Sequence, residues 1–89
     1  MKAIIVQKAG GIENLKLTTV EKPEVKENEV LVKASSISVN PVDYKVRATE
    51  NMLGWLFGDV RPAILGWDIS GTVVESKSAL FKVGDEVFG

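Results

Sequence analysis

Apolar and polar positions alternate along the first twenty residues in a way that predicts a β-hairpin. Residues 3–6 form a short apolar run, and the breaker pair Gly10-Gly11 follows it after a few polar positions. In residues 15–19, Leu15, Leu17 and Thr19 alternate with Lys16 and Thr18. This is the period of two expected for a strand with one buried face. The pattern predicts a first strand, a turn and a second strand.

A longer strand and a short helix are predicted next. Pro23 and the charged stretch after it mark a loop, and "VLVKASSISV" at residues 30–39 then alternates over the longest strand segment of the chain. In "NPVDYKVR", Asn40 is a favourable N-cap, Pro41 stands at the first helical position and Asp43 lies near the positive end of the helix dipole. A short helix is therefore expected to begin at Asn40.

The rest of the chain predicts a loop and two further strands. Residues 49–62 carry two glycines, a proline and bulky apolar residues without a clear period, which predicts a loop or a loose helical turn that serves as a lid or a contact surface. A strand is expected over residues 66–75. A last strand is expected to open at residues 86–88, with no visible partner. Several short strands and one brief helix predict a mainly β, barrel-like domain, and the unpartnered last strand suggests the front part of a longer protein.

Composition narrows the function classes. Eleven Lys and Arg against 12 Asp and Glu, with the signs interspersed, lack the basic patch typical of nucleic-acid binders. The chain has no cysteine, and its longest N-terminal apolar run is too short for a signal peptide or a membrane span. We therefore expect a cytoplasmic protein without nucleic-acid or membrane partners.

Four collinear stretches resemble a known family. They are "MKAIIVQKAGGIENLKL", "NEVLVKASSISVNPVDYKVR", "ILGWDISGTVVE" and "FKVGDEVFG". They resemble the amino-terminal part of the medium-chain dehydrogenase/reductase superfamily, and most closely its zinc-independent quinone oxidoreductase and enone reductase branch. The resemblance implies a GroES-like, partly open β-barrel with one or two short helices, in which residues 1–89 form the N-terminal part of the catalytic domain.

The cofactor implied by this resemblance is NADPH or NADH, bound mainly by a Rossmann domain. That domain is expected to be absent from this chain, because neither "AGGIE" nor "GWLFG" has the glycine spacing of a dinucleotide-binding turn. The isolated 89 residues are therefore expected to be inactive, whereas the parent protein is expected to be an enzyme.

Zinc is not expected. Zinc alcohol dehydrogenases of the superfamily place a cysteine near the segment "VNPVDYK" and a His-Glu pair where this chain has Trp67-Asp68. The chain contains neither cysteine nor histidine, and carboxylates alone suit zinc poorly. Reduction of a quinone or an enone by hydride transfer is less dependent on a Lewis acid than alcohol oxidation is, because the developing charge spreads into an enolate or quinol.

The resemblance also indicates site residues, each with a structural alternative. Asn40 corresponds to a cofactor-binding position near the nicotinamide and its ribose, and it also suits helix capping. Lys45 and Tyr44 border the substrate cleft as catalytic residues. Lys45 would donate to a developing enolate oxygen unless it is a solvated helix lysine. The direction of Tyr44 is open, because quinone reductases carry the tyrosine one position later, and Tyr44 is either packed or functional.

Trp67 replaces the ligand histidine of the zinc enzymes. As a buried aromatic it would form a wall of the substrate pocket, or simply pack in the core. Asp68 is interpreted as structural, paired with backbone or with an arginine such as Arg47 or Arg61. Gly66 and Gly71 are expected at bulges and close contacts of a curved sheet.

Three functions remain open at this stage. The first is the front part of an NAD(P)H-dependent oxidoreductase that reduces quinones or α,β-unsaturated carbonyls. The second is a GroES-like barrel that acts as a binding or assembly module and self-associates, as a homodimer or through an open strand edge. The third is a metal-free relative of the alcohol dehydrogenases that has lost activity.

Overall fold

A computed structural model describes residues 1–89, which form two compact units. The first unit comprises Met1–Glu21 and Val39–Gly66, and the second comprises Lys22–Ser38 and Trp67–Gly89. The fold is mostly β with two helices, and its strands form one two-stranded and one three-stranded sheet rather than a closed barrel. Neither helix has the length and apolar character needed to cross a membrane.

The predicted hairpin is present in the first unit. Strands β1 (Lys2–Val6) and β2 (Leu15–Thr19) pair antiparallel, with Ile4 opposite Leu17. The connection contains a short 3-10 helix over Ile12–Asn14. The glycine pair and the period-two alternation therefore predicted this element correctly.

Two helices follow in the same unit, α1 (Pro41–Ala48) and α2 (Glu50–Phe57). Helix α1 begins at the predicted N-cap, Asn40. Residues 49–62 were expected to form a loop or a loose helical turn, and residues 50–57 instead form a regular helix, α2, capped by Thr49. The Thr49 hydroxyl accepts a hydrogen bond from the Met52 backbone N–H at 3.2 Å, and this satisfies one of the free amides of the first helical turn.

The core of the first unit joins β1 to both helices. Val6, Val46, Leu53 and Ala63 are buried to 1% exposure or less and form one cluster. Val6 and Ala63 also exchange two backbone hydrogen bonds, of 2.8 and 2.9 Å. Burial of this apolar surface stabilises the unit and fixes α1 against the hairpin.

The second unit is a three-stranded antiparallel sheet in the order β3 (Val30–Ser38), β4 (Asp68–Ser76), β5 (Glu86–Phe88). The last strand does have a partner, contrary to the sequence-based expectation, because β5 pairs with β4 from Ser70 to Thr72. The expectation of a longer protein had rested on an unpaired last strand, and this pairing removes that support.

The central strand starts later than expected. Gly66 has φ +112°, outside the conformation of a β-strand, and β4 begins at Asp68. Gly71 meets the expectation of a close contact, since a Cβ at this position would overlap the carbonyl oxygen of Lys33. The register of β3 shifts between Ala34 and Ser36, next to Gly71, as expected for a bulge.

Candidate functional site

Asn40 lies at the junction between β3 and α1. Its backbone N–H donates to Oδ2 of Asp43 at 2.8 Å, its carbonyl oxygen accepts from the Asp43 backbone N–H at 2.9 Å, and the two residues form a capping box. The capping interpretation of Asn40 is thus confirmed. Its interpretation as a cofactor-binding residue stays a prediction.

Tyr44 and Lys45 follow one turn later, on the outer face of α1. Tyr44 is 52% exposed and Lys45 is also exposed, whereas Val46 beside them is fully buried. Lys45 makes no ion pair or hydrogen bond within the chain. Both side chains are therefore available to a molecule outside the chain, and Tyr44 is not a packed residue of the first unit.

A hydrogen-bond network holds α1 and α2 in place. Gly10 and Arg47 exchange bonds of 2.9 and 3.1 Å, in which the Gly10 N–H and the Arg47 Nε–H are the donors. Glu50 accepts from the Ala9 backbone N–H at 2.7 Å and from Arg61 Nη2 at 3.3 Å. The loop after β1 is thereby tied to both helices. Arg47 and Arg61, proposed from sequence as partners of Asp68, take part in this network of the first unit.

Trp67 and Asp68 open the second unit. Trp67 is 44% exposed and precedes the first residue of β4, so the interpretation as a buried aromatic was wrong for this chain. Asp68 is exposed and lies opposite Ser38 of β3. The structure therefore places Asn40, Tyr44 and Lys45 together on α1 in the first unit and Trp67 in the second.

An open groove of about 320 Å³ lies at one end of the three-stranded sheet, and sequence reasoning missed it. It combines serine hydroxyls with apolar side chains, of which Ile37 is 73% and Phe88 89% exposed. The alternation of serine and isoleucine in both β3 and β4 was a signal, but only the register of these strands brings the two stretches together. The groove is lined by Ser36, Ile37, Ser38, Asp68, Ile69, Ser70, Phe88 and Gly89.

The residues present do not fit a zinc ion. The chain contains no cysteine or histidine, and no three carboxylate, thiol or imidazole groups come together. A catalytic zinc needs about three such ligands. No reaction step is therefore assigned to a metal.

The residues present also lack a pyrophosphate cradle. Such a cradle needs a glycine-rich turn that leads from a strand into the N-terminus of a helix. Gly10-Gly11 leads only into the three-residue 3-10 helix, and Gly54 and Gly58 lie inside and at the end of α2. No pyrophosphate contact is therefore assigned to these residues.

Comparison with known proteins gives a consistent family. Residues 26–89 match the model of the alcohol dehydrogenase GroES-like domain. The chain is 38% identical over 96 residues to the chloroplastic NADPH-dependent alkenal/one oxidoreductase of Arabidopsis thaliana, covering 99% of this chain and 23% of that protein. It is 42% identical over 92 residues to the quinone oxidoreductase of Sus scrofa, covering 99% of this chain and 26% of that protein.

Solved structures agree with the sequence comparison. The quinone oxidoreductase from Coxiella burnetii superimposes with a TM-score of 0.89 and 36% identity, covering 100% of this chain and 29% of that one. A zinc-type alcohol dehydrogenase-like protein of Staphylococcus aureus and the cobalt- and zinc-bound alcohol dehydrogenase of Pyrobaculum aerophilum are also among the similar proteins. The chain spans about a quarter of the length of the curated relatives it matches.

Proposed function

The chain belongs to the alcohol dehydrogenase GroES-like domain family, and on this premise we propose that it forms the N-terminal part of the catalytic domain of an oxidoreductase. The enzyme uses NADPH or NADH, acts without zinc, and reduces quinones or α,β-unsaturated carbonyls. The observation that carries the proposal is the similarity, over nearly the whole chain, to proteins named for reducing alkenals and quinones. The Rossmann domain would lie in sequence outside these 89 residues.

The absence of metal ligands supports this choice of substrate class. Oxidation of a simple alcohol needs a Lewis acid or an efficient base to develop an alkoxide. A conjugated carbonyl or quinone needs only hydrogen-bond donors at the oxygen where charge develops, because delocalisation stabilises the product anion. The nicotinamide supplies the hydride when it is bound. A chain with neither cysteine nor histidine suits the second chemistry better.

Lys45 is the donor that we assign to the developing oxyanion. It is the exposed cation on the outer face of α1, and no carboxylate of the chain neutralises it. Tyr44, which precedes Lys45 in the helix and is also exposed, is assigned as a second donor, and Asn40 is assigned to the nicotinamide and its ribose. Trp67, which is 44% exposed and lies in the second unit, is assigned by the family resemblance alone to an apolar wall that contacts the substrate.

The test is a substrate comparison with the product of the complete reading frame. We expect NADPH or NADH oxidation with a quinone or an enone and much slower cofactor reduction with a simple alcohol. The Lys45→Ala variant should lose activity toward the preferred substrate while remaining folded, because Lys45 has no intramolecular partner. An enzyme that prefers the alcohol would contradict the proposal.

A second candidate function is assembly, and one observation favours it. Strand β3, of nine residues, is an edge strand of its sheet and carries the exposed Ile37. Unpaired edge groups next to apolar side chains promote pairing with another chain. Self-association through this edge is compatible with catalysis. If the protein associates but oxidises no cofactor, that result would favour assembly as its only function.

A further inference from the structure

We draw no further inference here: the strongest candidate, the open groove at the end of the three-stranded sheet with the exposed apolar side chains of Ile37, Ile69 and Phe88, is a solvent-exposed apolar surface, and nothing in the structure shows what covers it.

Discussion

Arg47 and Gly10 hold the end of α1 to the loop after β1 through a reciprocal pair of hydrogen bonds. The Gly10 N–H donates to the Arg47 carbonyl at 2.9 Å, and the Arg47 Nε–H donates to the Gly10 carbonyl at 3.1 Å. Only the second bond depends on the side chain. The helix that carries Asn40 and Lys45 is thus anchored at its C-terminal end by a residue that does not itself belong to the candidate site.

The first prediction concerns this anchor. Arg47→Ala should lower the free energy of unfolding by about 1–2 kcal/mol, because a partly buried, charged donor is lost and the Gly10 carbonyl loses its hydrogen bond from the side chain. Urea denaturation followed by circular dichroism measures the change. Lys45→Ala on the exposed face of the same helix is the control and should change stability by less than about 0.5 kcal/mol. Equal effects of the two variants would show that the anchor contributes nothing.

A second prediction compares two glycines. Gly71→Ala should destabilise the protein by about 1–3 kcal/mol, because the added Cβ would overlap the Lys33 carbonyl oxygen and force β3 away from β4. Gly54→Ala should stabilise it by about 0.5–1 kcal/mol, since Gly54 lies inside α2 and no atom stands within 4 Å of its added Cβ. Thermal unfolding of both variants checks the opposite signs, and destabilisation by both would contradict the helix assignment.

The third prediction tests the core of the first unit. Leu53→Ala should cost about 2–5 kcal/mol, because this fully buried side chain packs in one cluster with β1 and α1. Leu80→Ala, at a position 84% exposed, should have almost no effect on stability. If both variants unfold at the wild-type denaturant concentration, Leu53 does not contribute to the core.

Local patterns predicted much of this fold. The alternation of residues 15–19 and the Asn40-Pro41 pair identified β2 and the start of α1, because both signals depend only on neighbouring residues. Helix α2 was not predicted as a regular helix. Gly54 and the aromatic residues within 50–57 lower the helix propensity of this segment and obscure its apolar period. Burial of Leu53 by distant residues supplies the stability that the segment itself lacks.

The candidate site was also predicted only in part. The sequence motif identified Asn40, Tyr44 and Lys45 as candidate site residues and predicted the capping role of Asn40. It did not predict the exposure of Trp67, because a sequence pattern does not show which residues cover a side chain. No partner was predicted for β5 either. It pairs antiparallel with β4, the strand before it in the chain, and residues 77–85 connect the two.

A fourth prediction concerns self-association through β3. We expect the 89-residue chain to form dimers or larger species in sedimentation velocity runs at increasing concentration. Ile37→Lys should shift the distribution toward monomer, because a charge on an edge strand opposes pairing with another chain. Leu80→Lys, outside the sheet, should not. A wild-type chain that is monomeric at all concentrations would contradict the prediction.

The most direct test is NADPH oxidation by metal-stripped full-length protein with a quinone and with an enone, with bound zinc measured on the same sample. We predict turnover with at least one of the two substrates at a zinc content far below one ion per chain, and no gain in rate on addition of zinc. Activity that disappears on chelation and returns with zinc would contradict zinc-independent hydride transfer, as would the absence of turnover with both substrates.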